Sequence, residues 1–317
     1  MKKQATILKI LKSSLPILEA VKVEKGMSSI SNLDTWYNEF TDYVGENKVT
    51  SFEDYDLSGP TDCQGGYYGM DVAEYPELEK FIPSGSVVID QANMNDLFEA
   101  IKFVSNDDLR PVMTGILICK DIVATNAHYL ISKRINSYST SRKKHPTFII
   151  RIEAIKILKV LKMKTCKIEY DKKMERARIS GNGFEIVTRL IQGNYPNYEA
   201  VIPQSFSHKI TVDRKQLISS LTAILPFSNK HTKRVAISTP EHRKLVLLAE
   251  DIDRNVEKKI EIPCNSETTT GEIGFNMPNF LVCLKAEKTD QVIMTFSKPS
   301  RGAMVGEDIL LMPLMNH

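Results

Sequence analysis

Glu250, Asp251 and Asp253 form the densest carboxylate cluster outside the N-terminal region. On one strand, Asp251 and Asp253 would share a face, and such a pair could ligate Mg2+ as a metal-dependent nuclease does. The same grouping is also what a solvated strand end looks like. His128 has no matched nucleophile, and the sequence contains no HExxH, no Walker loop and no GxSxG. Gly181-Asn182-Gly183 fits a hairpin turn better than a phosphate-binding loop. The five cysteines, Cys63, Cys119, Cys166, Cys264 and Cys283, are scattered and never spaced as CxxC, which argues against a disulfide framework or a thiolate zinc site. This pattern leads to an expectation of no catalytic residue, no metal and no cofactor.

A chain of 317 residues is long enough for two or three compact units. Its 42% hydrophobic and 26% charged residues exclude a fibrous or disordered chain. No apolar run approaches the roughly eighteen residues of a membrane helix. The start, Met1-Lys2-Lys3 before Ile7-Leu-Lys-Ile-Leu-Lys12, is too interrupted for a signal peptide, so a cytoplasmic protein is expected. Net charge is +3, too small to hold nucleic acid through the whole surface. The charges are nonetheless segregated: Asp34 to Lys80 carries about a dozen acidic side chains and two basic ones, whereas Arg151 to Lys164 carries Arg151, Lys156, Lys159, Lys162 and Lys164 against Glu153 alone.

The elements that position these residues follow from hydrophobic spacing. Ile7, Leu8, Leu11 and Leu15 share a face of a basic amphipathic helix over Lys2 to Leu15, and Val21 to Asp34 alternates like a hairpin. Gly45 to Gly69 offers no helix. Pro83-Ser-Gly85 reads as a linker or strand boundary, Val87 to Ile89 as a strand, and Asn93 as the cap of a helix with Met94, Leu97, Phe98 and Ile101 inward. Strands over Arg110 to Cys119 and Ile122 to Asn126 precede a helix over Arg151 to Met163 and strands at Cys166 to Tyr170, Arg176 to Ser180 and Phe184 to Leu190. A third stretch repeats the order: a strand at His208 to Val212, then a helix capped by Asp213 with Leu217, Leu221 and Leu225 inward. Strands at Arg234 to Ser238, Leu245 to Glu250, Lys258 to Pro263 and Glu272 to Phe275 follow, then a helix over Pro278 to Lys285 and strands at Gln291 to Phe296 and Ile309 to Leu314. Strand, helix, then two or three antiparallel strands recur at roughly fifty to sixty residues, which predicts an internally repeated α+β fold.

Four stretches in order carry a resemblance: Arg110-Pro-Val-Met-Thr-Gly115 with Thr125-Asn-Ala-His-Tyr-Leu130; Gly193-Asn-Tyr-Pro-Asn-Tyr198 through Val201-Ile-Pro203; Glu272-Ile-Gly-Phe-Asn276; and Leu311-Met-Pro-Leu314. Together they resemble the bacterial DNA sliding clamp, the beta subunit of DNA polymerase III, well over Val87 to His317 and more thinly upstream, at Leu15-Pro-Ile-Leu18 and Glu74-Tyr-Pro-Glu-Leu78. The resemblance implies a DNA-clamp fold in three domains: a reduced one at 1–84, a central one at 85–204 and a C-terminal one at 205–317, with helices lining a ring and sheets outside. It implies a non-catalytic processivity factor that encircles duplex DNA without reading sequence, and closes with itself into a ring, as a homodimer. Its partners would be a replicative DNA polymerase and a clamp loader, held through short peptide motifs.

Carried over position by position, the peptide groove would comprise Met113, Thr125, Ala127, His128, Tyr129, Leu130, Pro196, Ala200, Val201, Leu310, Met312, Pro313 and Leu314. Ala127 stands where the family usually has Gly, Tyr129 and Ala200 where its better-known members carry Arg, and Met315-Asn316-His317 ends differently. The basic helix positions Lys2, Lys9, Lys12, Lys102, Arg151, Lys156, Lys159, Lys162, Arg214, Lys215 and Lys285 would face DNA. Tyr67, Tyr68, Met70 and Val72 would meet Ile224 and Leu225 of a second copy, with Ile224 facing the partner and Leu225 completing its own core. Two other classes stay open at this point: a non-encircling clamp-like protein that competes for clamp-binding motifs, and the metal nuclease.

Overall fold

The computed structural model describes residues 6–7, 10, 20–24, 27–31, 34–40, 48–51, 80–135, 145–181, 183–298 and 300–314. The chain divides into two compact units: Met1–Ile122 with Lys133–Tyr195, and Val123–Ser132 with Pro196–His317.

In the first unit Thr6, Ile7 and Ile10 are helical and Ile7 is fully buried, as the apolar spacing predicts; the rest of that helix lies outside the described residues. Strands β1 (Ala20–Glu24), β2 (Met27–Ser31), β3 (Thr35–Phe40) and β4 (Lys48–Ser51) follow. Next come β5 (Pro83–Ile89) and helix α1 (Gln91–Ala100), so Pro83-Ser-Gly85 already belongs to a strand. The cap of α1 is Asp90, not Asn93: its carboxylate accepts the Asn93 amide at 2.9 Å. Asn93 is instead buried in the first turn and donates through its side chain to the Arg134 carbonyl at 2.9 Å. Pro111–Met113 is a 3-10 turn rather than strand, because proline at its first position fixes φ and has no N–H for a ladder. Then follow β6 (Gly115–Ile118), β7 (Asp121–Thr125) and β8 (Tyr129–Arg134), the last two lying mostly in the second unit, and, back in the first unit, β9 (Phe148–Arg151), α2 (Ile152–Val160), β10 (Cys166–Asp171), β11 (Arg176–Gly181) and β12 (Phe184–Arg189). One sheet runs β4-β1-β2-β3-β12-β11-β10-β5, and α1 packs with α2.

The second unit holds β13 (His208–Asp213), α3 (Arg214–Ile224), β14 (Arg234–Glu241), β15 (Lys244–Asp251), β16 (Val256–Pro263), β17 (Asn265–Ser266), β18 (Thr270–Asn276), α4 (Met277–Ala286), β19 (Gln291–Phe296), β20 (Ala303–Val305) and β21 (Ile309–Leu311). The very short β17 and β20 escape a reading based on alternation. Both helices carry side-chain caps, Asp213 accepting the Gln216 amide at 2.7 Å and Asn276 the Asn279 amide at 3.1 Å. Leu217, Leu221 and Ile224 of α3 and Phe280, Cys283 and Leu284 of α4 are buried.

From Pro83 onward the chain repeats strand, helix, three antiparallel strands, with repeats opening at Pro83, Phe148, His208 and Thr270, about sixty residues apart. Neighbouring repeats exchange their opening strands: β5 pairs with β10 and β9 with β6, then β13 with β19 and β18 with β14. No repeat can complete a sheet alone. The last hairpin of each repeat turns through one residue of positive φ: Ala127 (73°), Gly183 (82°), Asn255 (51°) and Gly306 (69°). Gly and Asn accept that conformation readily, whereas alanine is strained there.

Candidate functional site

The carboxylates of Glu250, Asp251 and Asp253 do not converge. Asp251 ends β15, and Asp253 lies in the 3-10 turn Ile252–Arg254, so the two share no strand face. Arg254 binds the Asp251 carboxylate and holds it below the usual acid range, and Glu250 faces Arg234 at 3.9 Å. Among the described residues no three metal-ligating side chains gather. The nuclease reading therefore loses the site that motivated it. Four cysteines of the described residues are free thiols; burial pushes Cys166 up to about 12 and raises Cys283 as well, so both are poor nucleophiles.

A different surface is assembled in the second unit. At the β7–β8 turn the Thr125 hydroxyl donates to the Tyr129 carbonyl at 2.8 Å and accepts the Ala127 amide at 3.1 Å. The Asn126 side-chain carbonyl accepts the His128 and Tyr129 amides, both at 3.0 Å. These bonds hold Ala127 in its left-handed conformation. Strand β21 then pairs with β8 in the register Leu310 to Leu130 and Leu311 to Tyr129. Beyond it the Met312 amide donates to the His128 carbonyl and the Leu314 amide to the Gly274 carbonyl, each at 2.8 Å. The last described residues are thus stitched between the β7–β8 turn and β18. Gly302 makes room for them, since a Cβ there would lie 2.5 Å from Leu310 and 3.2 Å from the Met312 sulfur.

The candidate groove residues separate by burial. Leu130 and Leu310 are core residues at 4% and 1% exposure, and Met113, in the first unit, is buried as well. Leu130 and Leu310 support this surface rather than line it, because consecutive residues of β8 and β21 are buried there, whereas Met113 is buried within the first unit. Ala127, His128, Pro196, Ala200 and Val201 are exposed, and Met312, Pro313 and Leu314 half-buried. Thr125 is buried as the hinge of its turn, and Tyr129 is buried with its phenol raised by desolvation. Met312 is tied to His128, and with the adjoining Pro313 and Leu314 it gives a half-buried apolar strip, which suits apolar contact better than a charged or metal-bound ligand. Asn126 and Gly302, absent from the sequence-based set, do structural work here; the Thr-Asn pair following a strand is the signal that could have identified the turn. Replacing Ala127 with Gly is expected to raise the stability of the second unit by roughly 1 kcal/mol, read by thermal unfolding, because it relieves the positive φ.

The basic positions also separate. Arg151 is bound to Asp34 at 3.1 Å, and Arg189 approaches the same carboxylate at 3.7 Å. Arg214 donates to the Thr289 carbonyl at 2.7 Å, and Lys102 pairs with Glu99 at 2.6 Å. Arg151 and Arg214 thus act as ties within their units rather than as freely presented cations. Among the described residues Lys215 makes a solvent-exposed pair with Asp290 at 3.8 Å. Lys159, Lys162 and Lys285 are exposed and Lys156 is half-exposed. Lys2, Lys9, Lys12, Tyr67, Tyr68, Met70 and Val72 lie outside the described residues. Ile224 departs from expectation: it is fully buried, whereas Leu225 is half-exposed. The 217, 221, 224 spacing continues the buried stripe, and the helix tightens into a 3-10 turn at Leu225–Phe227, which swings Leu225 off it.

No family model matches the chain. Among curated proteins, the beta sliding clamp of Chlamydia muridarum is 24% identical over 262 residues, covering 78% of this chain and 70% of that protein. The beta sliding clamp of Pseudomonas aeruginosa is 21% identical over 240 residues, covering 74% and 65%, and that of Chlamydia trachomatis is 24% identical over 267 residues, covering 78% and 61%. The chain therefore spans about two thirds of the length of these relatives. Among solved structures, the DNA polymerase III beta subunit of Thermotoga maritima superposes with a TM-score of 0.81 at 20% identity, over 100% of this chain and 97% of that one. The chain has the DNA sliding clamp fold. The clamp from Bartonella birtlesii bound to griselimycin aligns equally well, at a TM-score of 0.82 and 17% identity over 99% and 96% of the two chains. Among the described residues of this clamp fold, no helix is long and apolar enough to cross a membrane.

Proposed function

We propose that the chain is a non-catalytic DNA sliding clamp that closes with a second copy into a ring around duplex DNA and tethers a polymerase and other replication proteins through the surface at Met312 to Leu314. The observation that carries this reading is how the repeats end. The last strand of one repeat, β8, pairs with the last strand of another, β21, and β12 pairs with β3. Of the four repeat-ending strands β8, β12, β16 and β21, only β16 has no strand on its outer side among the described residues, at the end of the sheet β16-β15-β14-β18. An exposed eight-residue edge strand invites pairing. Within a repetitive fold, the partner it lacks is the equivalent strand of a reduced first domain in another copy. The exchange of opening strands supports the paired-repeat domains at 85–204 and 205–317, with 1–84 as the reduced one. Exposed Lys159, Lys162 and Lys285 on or beside the helices supply sequence-independent phosphate contacts, and a cytoplasmic location fits this role.

Topological trapping predicts the test. After loading by a cognate loader, the protein should remain on circular DNA and slide off the same DNA once it is linearised. Equal loss from both forms would overturn the ring and favour a non-encircling competitor for clamp-binding motifs.

A further inference from the structure

We propose that Asp34 is the positioning residue of a joint within the first unit, fixing the angle at which the N-terminal sheet β1–β4 is held against the elements that follow it. That sheet is attached along one line. Strand β3 pairs with β12 in a register that runs from Thr35 opposite Thr188 to Glu39 opposite Phe184. The Arg189 amide donates to the Asp34 carbonyl at 2.8 Å and the Phe40 amide to the Gly183 carbonyl at 2.9 Å, closing the two ends. Side chains follow the same line. The Thr35 and Thr188 hydroxyls lie 2.8 Å apart, the Asn38 amide donates to Glu185 at 3.3 Å, and Tyr37 stacks on Phe184 with 6.4 Å between ring centres. A single ladder acts as a hinge, because neighbouring strands tolerate relative rotations of about 10 to 35°.

Asp34 reaches off that line. Its carboxylate meets Arg189, at the end of β12, at 3.7 Å and Arg151 at 3.1 Å, where β9 passes into α2. Strand β9 pairs with β6 and belongs to a different sheet from β12, so the Arg151 bond is a second attachment outside the seam. Two attachments that are not collinear set an angle that one alone leaves free. The Asp34 side chain is 14% exposed and that of Arg151 30%, so salt screens the pair less than a surface ion pair and its geometry matters more. The Arg189 guanidinium also lies over the Trp36 ring at 5.9 Å, and Trp36, buried in the seam, is the only tryptophan of the chain. When Arg151 lets go, β1–β4 can swing about β12 while β5–β12 stay folded. On the clamp reading above, on which this consequence rests, the angle decides where the first domain is presented and hence how long a ring stays on DNA.

Acrylamide quenching of Trp36 fluorescence in wild type, Asp34→Asn and Arg151→Gln tests the joint directly. Arg151→Gln cuts the attachment outside the seam and leaves Asp34 with Arg189. Both variants should keep the native circular dichroism while the quenching rate constant rises about threefold, because the seam opens more often in the folded protein. Asp34→Glu, which keeps the charge, should recover most of the wild-type protection. The double variant should be quenched no more than Asp34→Asn alone, since both changes break the same bond. A residue that merely adds stability would lower the melting temperature and leave quenching of the native protein unchanged. That result in a folded Arg151→Gln overturns the inference, as does an additive double variant, and Arg151→Gln decides the matter if Asp34→Asn unfolds. Retention on circular DNA, measured on the same proteins, should shorten in step with the quenching, and unchanged retention beside raised quenching overturns the link to the ring. A wild type that leaves circular and linear DNA equally fast overturns the clamp reading instead.

Discussion

Ile224→Asp is expected to unfold the second unit rather than merely separate subunits. The side chain is 0% exposed and sits on the same stripe as Leu217 and Leu221, both also fully buried. An unpaired carboxylate there costs about 3 to 5 kcal/mol, through lost packing and desolvation of the charge, against a typical total stability of about 5 to 15 kcal/mol. Thermal unfolding should show the loss directly. Leu225→Asp, one residue on and half-exposed, should fold normally and weaken only the oligomer. Equal melting temperatures for the two variants would contradict the burial that separates them.

The double substitution Met312→Ala with Leu314→Ala is expected to weaken a polymerase-derived clamp-binding peptide by tenfold or more while the fold persists. Each side chain is half-buried, so truncation removes contact surface without opening a core cavity. As walls of a desolvated peptide site, each could contribute about 1 to 3 kcal/mol. The main-chain bonds from the Met312 and Leu314 amides to His128 and Gly274 do not depend on side-chain identity, so the terminal segment should stay in place. Fluorescence polarisation with a labelled peptide measures the loss, and unchanged affinity on folded protein would move the site elsewhere.

Local order was legible in the residues wherever it depends on local chemistry. The Asp213 carboxylate cap, the apolar stripe of α3 and the repeat period all follow from neighbours a few positions apart. Errors arose where two local choices were equally good. Asp90 and Asn93 can both cap a helix, and the decision went to Asp90 because Asn93 is drawn inward by the Arg134 carbonyl, forty-one residues away. Leu225 and Ile224 both fit a helical stripe, and the 3-10 ending at Leu225–Phe227 decided between them. The carboxylates of Asp251 and Asp253 looked like a pair until the chain turned after Asp251.

The sequence by itself determined the repeat, the Asp213 cap of α3 and the family likeness of the segments around Thr125 and Met312, because periodicity, capping and turn chemistry act over a few residues. Only the tertiary structure decided which opening strands are exchanged between repeats, that β21 joins β8, and that Arg254 serves two carbonyls and a carboxylate at once. Apart from the local Arg254–Asp251 pair, those pairings join residues from twenty-six to about one hundred and eighty positions apart. Strand ladders are built from backbone groups common to all residues, so the choice of partner is set by which faces can be buried together, a property of the whole fold that no short stretch of sequence contains.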